Sequence, residues 1–286
     1  VHVVSQFFGH VEREPVRDGV TIVHLTSDFY GLELIARRTK PRVVATTVSP
    51  PDEDGYVSFG VHAGATVVPF LEAARDPERV AIAEVNPRMP RTRGMPELGG
   101  HRVHCSEVDA IVEHEAELFE LSGKFRGDAD ARIAAHASEL IQDGATLQFG
   151  IGGIPNAMAR ILADGPRGGF GIHTEMLVDG VHLLHEAGKI ENRKGVYDGF
   201  SVCTFALGSR ALYDWAEREP SLRFLPVSAT NLPSLIGRNR RMVSVNAAIM
   251  VDLSGQVVAD TVAGRQHSGV GGHESFVTGA READGG

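Results

Sequence analysis

The chain has 286 residues, of which 42% are hydrophobic, with 33 glycines and a net charge of −9. This length predicts about two domains, and the composition excludes intrinsic disorder and collagen-like repeats. The acidic balance disfavours nucleic acid as a partner, and no apolar run reaches the ~20 residues of a membrane helix. The only two cysteines, Cys105 and Cys203, indicate a reducing compartment and predict a cytoplasmic location.

Short β-branched runs alternate with helical stretches along the chain. Strands are predicted at 20–25, 42–48, 79–85, 145–150, 169–174, 201–207 and 242–251. Helices are predicted at 32–38, 64–74, 129–142, 156–162, 177–187 and 209–217. This alternation predicts the α/β class, as two tandem open α/β domains with mainly parallel sheets. A break in the pattern at 121–128 places the domains at 1–125 and 126–286.

The sharpest local feature is residues 147–155 (LQFGIGGIP), where a predicted strand runs into a glycine loop. Pro155 fits the start of a following helix, where a missing N–H is tolerated. Backbone amides at such a junction can approach an anion or a thioester carbonyl. A tight turn that only packs helix against strand explains the same pattern equally well.

Glu175 follows the next predicted strand, at the sheet edge where open α/β folds bind ligands. One interpretation makes it a nucleophile. A second makes it the ribose-binding acid of a dinucleotide fingerprint begun by Gly150 and Gly152, although Pro155 replaces the third glycine. A third makes it a carboxylate stabilised by a helix N-terminus. The residues alone leave all three open.

Other patterns are weaker. His101, His104 and Cys105 lack a second ligand pair, so no metal site is predicted. A second glycine loop occupies residues 266–274 (QHSGVGGHE), and its glycines permit close backbone approach. A basic cluster at 238–241 is either a solvated surface or a phosphate contact.

Together, these segments resemble the acetyl-CoA hydrolase/transferase family, in particular its 4-hydroxybutyrate CoA-transferase-like branch. The resemblance is carried by 148–157 (QFGIGGIPNA), 173–176 (HTEM) and 268–272 (SGVGG), with further matches at 49–60, 83–92, 243–246 and 251–257. Family chains are longer at both ends. The first domain is therefore expected to lack its N-terminal part and the second its C-terminal part.

The resemblance implies CoA-transferase-type domains and a catalytic group of Glu175, Gly271 and Gly272, with Glu175 as nucleophile and the glycines as oxyanion donors. It implies that CoA and substrate contact Gln148, Gly150, Gly152, Gly153, Ile154, Pro155, Asn246, Ser268, Gly269 and Val270. The expected function is an acyl-CoA:carboxylate CoA-transferase that works through a glutamyl-CoA thioester on short-chain acyl-CoA and carboxylic acids. The alternatives are an acyl-CoA hydrolase at the same site and a nucleotide-binding α/β protein.

The same interpretation sets the expected partners. Acyl-CoA and small carboxylic acids are expected as substrates of a bacterial homo-oligomer, without nucleic acid or membrane as partners. CoA enters as a substrate, so no cofactor is expected. A separate hypothesis, which the resemblance does not supply, is that Arg240 and Arg241 bind the 3′-phosphate of CoA. This phosphate needs cationic partners, and arginine is suited to bind it.

Overall fold

The computed structural model describes residues 3–5, 9, 14, 16, 18–19, 21–23, 28–121 and 127–286. In chain order, its helices are α1 Tyr30–Thr39, α2 Val67–Ala74, α3 Asp128–Glu139, α4 Gly153–Asp164, α5 Asp179–Glu186, α6 Arg210–Arg218, α7 Val227–Thr230, α8 Pro233–Ile236 and α9 His273–Glu282. None of the helices in these ranges is long and apolar enough to cross a bilayer.

The strands are short, and most of them pair in parallel. They are β1 Val3–Ser5, β2 Thr21–Val23, β3 Val43–Val48, β4 Tyr56–Ser58, β5 Val80–Val85, β6 Arg102–His104, β7 Ala110–Glu113, β8 Thr146–Phe149, β9 Gly171–Ile172, β10 Met176–Leu177, β11 Ser201–Cys203, β12 Phe205–Ala206, β13 Leu222–Phe224, β14 Met242–Val245, β15 Met250–Val251, β16 Val257–Val258, β17 Thr261–Val262 and β18 Arg265–Gln266. Seven of the ten strand pairings among the described residues are parallel. The predicted α/β class with mainly parallel sheets is confirmed.

The sheet of the first half has the order β3-β5-β7, and both of its pairings are parallel. Alternate residues of β5, namely Ala81, Ala83 and Val85, are buried, as expected of a strand that turns one face to the core. Helix α2 packs against β3 and β5. The hydrophobic alternation of β5 therefore fixes which face of this sheet meets the core.

The sheet that positions the candidate site has β8 at its centre, between β14 and β9. All four residues of β8 are buried, which suits a parallel strand covered on both faces. The three strands are parallel, so the chain leaves β8, β9 and β14 at one edge. A bridge between His173 and Val202 continues the sheet towards β11 and β13.

Backbone hydrogen bonds join the two halves of the chain. Ala63 N donates to Thr204 O at 2.7 Å, and Ala206 N donates to Val61 O at 2.7 Å. One apolar core also runs through both halves, from α2 to β8. The predicted domain boundary falls within 122–126, outside the described residues, so the division into two domains stays a prediction.

Some predicted elements differ from the observed ones. The strand predicted at 242–251 ends at Val245, because Asn246 joins a polar cluster and β15 pairs with β16 in a separate hairpin. The helix predicted from Gly64 begins at Val67, since Gly64 has a φ of +40° and its amide bonds Thr204 O. Of the strand predicted at 20–25, only 21–23 lie within the described residues.

Candidate active site

Glu175 lies just beyond β9, at the carboxyl edge of the central sheet. The backbone amides of Thr204 and Phe205 both donate to its carbonyl oxygen, at 2.9 and 3.2 Å. These two bonds fix the turn between β9 and β10. Glu175 therefore stands at the edge where parallel sheets characteristically bind ligands.

Two donors hold the carboxylate of Glu175. Asn231 Nδ2 donates to Oε2 at 2.5 Å, and the backbone N–H of Gly272 donates a second hydrogen bond. Burial raises the pKa of Glu175 to about 7, while these two hydrogen bonds oppose the rise. The folded protein therefore holds a proton on this side chain more readily than an exposed glutamate does.

The second glycine loop lies against this carboxylate. Gly271 has a φ of +63°, in the left-handed region. A Cβ atom at Gly272 would lie 2.5 Å from Asn231 Nδ2 and closer still to Glu175 Oε2. Gly272 directly precedes α9, so the positive end of this helix is next to the carboxylate. Position 272 therefore requires glycine while Glu175 keeps this position.

Hydrogen bonds fix the start of the same loop. Ser268 N donates to Asp260 O at 3.0 Å, and Gln266 Nε2 donates to Ser268 O at 2.5 Å. Residues 268–272 form one stretch that leads from this anchored turn to α9. The structure thus brings the late glycine loop and Glu175 together.

The first glycine loop follows β8 at the same sheet edge. Gly150 N donates to Val245 O at 3.1 Å, and Gly152, with a φ of +140°, precedes the first helical turn, 153–155. Pro155 lies in that turn, where it removes no helical hydrogen bond. A Cβ atom at Gly150 or Gly152 would meet no atom closer than 3.7 Å. Side chains added at these two glycines would therefore make ordinary contacts rather than clashes.

Gln148 and Asn246 meet between β8 and the end of β14. Gln148 Nε2 donates to Asn246 Oδ1 at 3.3 Å, and Asn246 Nδ2 donates to Gln148 Oε1 at 3.2 Å. Ser244 Oγ donates to Gln148 Oε1 at 2.7 Å and accepts from Asn246 Nδ2 at 2.7 Å. These bonds hold the Asn246 amide at the carboxyl edge.

Comparison with known proteins gives a consistent assignment. The family model for the acetyl-CoA hydrolase/transferase C-terminal domain matches residues 208–286. The 4-hydroxybutyrate coenzyme A transferase of Clostridium kluyveri is 40% identical over 251 residues, which are 87% of this chain and 56% of that protein. This chain belongs to the acetyl-CoA hydrolase/transferase family.

Two solved structures share the fold of this family member. RipA from Yersinia pestis superposes with a TM-score of 0.87 at 33% identity, covering 100% of this chain and 63% of that one. The 4-hydroxybutyrate CoA-transferase from Porphyromonas gingivalis superposes with a TM-score of 0.78 at 32% identity, covering 98% of this chain and 66% of that one. The chain thus spans between half and two thirds of the length of these relatives.

In this acetyl-CoA hydrolase/transferase chain, the arginine cluster and Glu175 lie at opposite edges of the sheet. Arg240 and Arg241 precede β14, whereas Glu175 follows the parallel strand β9. The four residues of β14 separate these edges by ~13 Å. Arg241 Nη1 donates to Asp143 O at 2.6 Å, which gives this side chain a structural contact. The 3′-phosphate contact stays a prediction.

Sequence reasoning gave no role to Asn231 or His173, two residues that the structure places near Glu175. Asn231 belongs to no motif that the sequence shows, and only the fold brings it to Glu175. His173 Nε2 donates to Thr230 O at 2.9 Å, because a carbonyl oxygen can only accept. Asn239 Nδ2 donates to the other ring nitrogen at 3.1 Å. Burial lowers the pKa of His173 to about 4, so this ring is neutral at pH 7 and links Thr230 to Asn239.

Proposed function

We propose that the protein is an acyl-CoA:carboxylate CoA-transferase, with Glu175 as the nucleophile and short-chain acyl-CoA and carboxylic acids as substrates. The observation that carries the proposal is the hydrogen-bonded group formed by Glu175, Asn231 and the amide of Gly272. In such a group, thiolate and carboxylate groups can repeatedly add to the carboxyl carbon of Glu175 and leave it. The similarity to a 4-hydroxybutyrate coenzyme A transferase supports the same class of reaction.

The first half-reaction loads CoA onto Glu175. A carboxylate oxygen attacks the thioester carbonyl carbon, the C–S bond breaks, and CoA leaves as its thiolate. The product on the enzyme is an acyl-glutamyl anhydride. The thiolate then attacks the glutamyl carbonyl carbon, the anhydride C–O bond breaks, and the first carboxylate departs. Glu175 is left as a glutamyl-CoA thioester.

The second half-reaction reverses these steps with a new acid. The acceptor carboxylate attacks the glutamyl thioester, and the CoA thiolate leaves again. The thiolate then attacks the acceptor carbonyl of the new anhydride, which releases the new acyl-CoA and restores the Glu175 carboxylate. The exchange consumes no net proton, electron or water, so the proposed reaction requires no cofactor. CoA takes part as a substrate.

The donors around Glu175 fit the charge that this scheme develops. When the thiolate attacks the glutamyl carbonyl, negative charge grows on an oxygen of Glu175 itself. The Gly272 amide and Asn231 Nδ2 already bind these oxygens, so they can stabilise the charge without rearrangement. We propose that the neighbouring Gly271 amide serves the oxyanion on the acyl group.

The raised pKa of Glu175 also suits a nucleophile. Nucleophilicity rises with basicity, so a carboxylate whose pKa lies near 7 attacks more readily than an ordinary one. The same burial that raises the pKa limits the access of water, and water would hydrolyse the anhydride or the thioester.

Two other functions use the same residues. A hydrolase would let water take the place of the acceptor acid at the glutamyl thioester. A nucleotide-binding protein without CoA chemistry is less well supported, because Pro155 interrupts the glycine fingerprint and the Glu175 oxygens already have donors. The homo-oligomer and the cytoplasmic location stay predictions.

A panel of short acyl-CoAs, assayed with and without acetate, tests the proposal. We expect acetyl-CoA to form only when acetate is present, and Glu175→Gln to remove this activity. Release of free CoA that does not depend on acetate would assign the hydrolase instead. Absence of turnover with every acyl-CoA, together with nucleotide binding, would contradict both enzymatic readings.

A further inference from the structure

A four-residue helix carries the amide that binds the nucleophile. Asn231 directly follows α7, and its Nδ2 donates to Glu175. At the amino end of α7, the hydroxyl of Ser228 donates to Glu33 Oε2 at 3.0 Å, and the Ser228 amide also bonds the Glu33 carboxylate. A helix of this length spans only ~6 Å. A displacement of Ser228 is therefore passed on to Asn231.

The carbonyl end of α7 is fixed as well. The Tyr197 hydroxyl donates to Ala229 O at 3.1 Å, and His173 Nε2 donates to Thr230 O at 2.9 Å. These side chains satisfy carbonyls that a helix end leaves unpaired, and both come from the second half of the chain. Glu33, on α1, adds a tie from the first half.

Glu33 is an unusual group for a packed position. It is 1% exposed, and its Oε1 has no hydrogen-bond partner among the described residues. Burial raises its pKa, whereas Ser228 and Arg37 oppose the rise. Arg37 itself pairs with Glu72 at 2.8 Å. Because an unpaired buried oxygen destabilises a fold, a purely structural cap on α7 accounts poorly for a carboxylate here.

We infer that Glu33 is a positioning residue for the nucleophile, which holds α7 through Ser228 and thereby sets the hydrogen bond from Asn231 to Glu175. This inference rests on the proposed role of Glu175. Glu33 lies on α1, in the first half of the chain, and Ser228 lies in the second half. Correct orientation of the nucleophile therefore requires the two halves to be packed against each other. Substitution of Glu33 then acts on kcat more than on substrate affinity.

The test uses Glu33→Ala, Glu33→Gln and Ser228→Ala. Glu33→Gln keeps an oxygen that can accept from Ser228, so it serves as the conservative rescue. Ser228→Ala removes the same hydrogen bond from the other side and carries the test if Glu33→Ala does not fold. The matched control is Ser138→Ala on α3, a buried serine whose hydroxyl donates to Ala134 O at 2.7 Å.

Two readouts separate positioning from simple stability. The first is kcat and KM in exchange between an acyl-CoA and acetate. The second is the pH midpoint of carbodiimide labelling of Glu175, located by peptide mass spectrometry, which needs no turnover. Carbodiimides react with the protonated carboxyl, so a weakened bond from Asn231 moves this midpoint to higher pH.

We expect Glu33→Ala and Ser228→Ala to lower kcat about fivefold to tenfold, with KM changed by less than about twofold. The labelling midpoint should rise by ~0.5 pH unit, and Glu33→Gln should stay close to the unsubstituted protein. In an Asn231→Ala background, Glu33→Ala should have no further effect, because both act through one contact.

Unchanged kcat and midpoint in Glu33→Ala and Ser228→Ala would overturn the inference. The inference would also fail if the kcat loss of Glu33→Ala added in full to that of Asn231→Ala in the double variant. It would fail too if Ser138→Ala lost as much kcat as Glu33→Ala for the same decrease in Tm. Should the unsubstituted protein transfer no CoA while the midpoints still shift, the proposed function fails and the positioning role stands. If the unsubstituted protein transfers CoA but the labelling midpoints of the variants do not shift, the positioning role fails and the proposed function stands.

Discussion

The two glycine loops at the carboxyl edge look alike in sequence but differ in their surroundings. At Gly272 an added Cβ atom would overlap the Glu175 carboxylate and lie 2.5 Å from Asn231 Nδ2. At Gly150 the nearest atom to an added Cβ, Val245 O, is 3.7 Å away. The late loop is therefore packed tightly against Glu175, whereas an added methyl at Gly150 would make only an ordinary contact.

This difference separates two reasons for glycine at one site. In the late loop, the missing side chain lets a backbone amide reach a carboxylate. In the early loop, Gly152 has a φ of +140° where the chain enters α4, whose first amides favour an anionic ligand. We infer that residues 269–272 stabilise the oxyanions of the chemical steps and that residues 150–153 bind CoA.

Gly272→Ala is the substitution that tests this contrast most severely. The added methyl displaces Glu175 or removes the bond from the Gly272 amide, and loss of one such donor lowers kcat by ~10²–10³. Gly150→Ala is the matched control in the other loop, since its methyl makes an ordinary contact. Steady-state exchange between acyl-CoA and acetate, with Tm measured for both variants, provides the comparison.

For the control we expect nearly unchanged kcat and a higher KM for acyl-CoA, because we infer that the early loop binds CoA and takes no part in the chemical steps. Equal kcat losses in the two variants would remove the distinction between the loops. A loss in Gly272→Ala that merely follows a fall in Tm would also count against it.

Asn231→Ala tests the second donor to Glu175. We expect kcat to fall by about tenfold to a hundredfold, as for a lost hydrogen bond to a charged group. Asn231→Asp should be worse at pH 7, because a second carboxylate raises the pKa of Glu175 further. If both variants keep most of their kcat, the late loop acts without Asn231.

The pH dependence tests the burial that distinguishes the late loop. The pKa of Glu175 is raised to about 7 from 4.5, so the folded protein keeps a proton that the unfolded chain releases between these values. Stability therefore falls as pH rises through this window, and the full penalty is present above pH 7. In the proposed mechanism the carboxylate form attacks the thioester, so kcat should instead rise through about pH 7.

Glu175→Gln removes this ionisation and should abolish transfer. Relative to the unsubstituted protein, it should gain roughly 1–3 kcal/mol of unfolding free energy on going from pH 4.5 to pH 8. Urea unfolding at both pH values measures the difference. If the difference in unfolding free energy between the two proteins does not vary with pH, ionisation of Glu175 does not destabilise the folded state.

The smallest effect is expected at the opposite edge of the sheet, away from both loops. If Arg240 and Arg241 bind the 3′-phosphate of CoA, replacing both by Ala raises the Kd for CoA about threefold to tenfold and weakens its salt dependence. Dephospho-CoA should be affected less. Arg240→Ala alone is the cleaner variant, because Arg241 also bonds Asp143 O. Equal changes for both ligands, or none, would make the cluster a solvated surface.

Local signals in the sequence predicted the early part of the site well. The run of β8, the glycines after it and Pro155 all belong to one short segment, so strand, loop and helix follow from neighbouring residues. The position of Glu175 after the next strand also follows from the pattern. The length of β14 does not, because its apolar pattern continues past Asn246, which the structure assigns to the polar cluster with Gln148.

The contacts that make the site reactive are tertiary. Nothing near Asn231 in the sequence points to Glu175, and α9, whose N-terminus supplies the Gly272 amide, was not predicted. The support from His173 depends on burial between Thr230 and Asn239, which a histidine in a strand pattern does not reveal. The resemblance named the glycines, but the packing explains why position 272 admits no side chain.

The proposed mechanism requires Glu175 to form a covalent thioester with CoA. The most direct test is to incubate the protein with a short acyl-CoA, add borohydride and analyse the peptides by mass spectrometry, with Glu175→Gln as the control. We expect reduction of the Glu175 side chain to the alcohol, only with acyl-CoA and only in the unsubstituted protein. Acetate-dependent transfer without any reduced Glu175, or with reduction at another carboxylate, would contradict it.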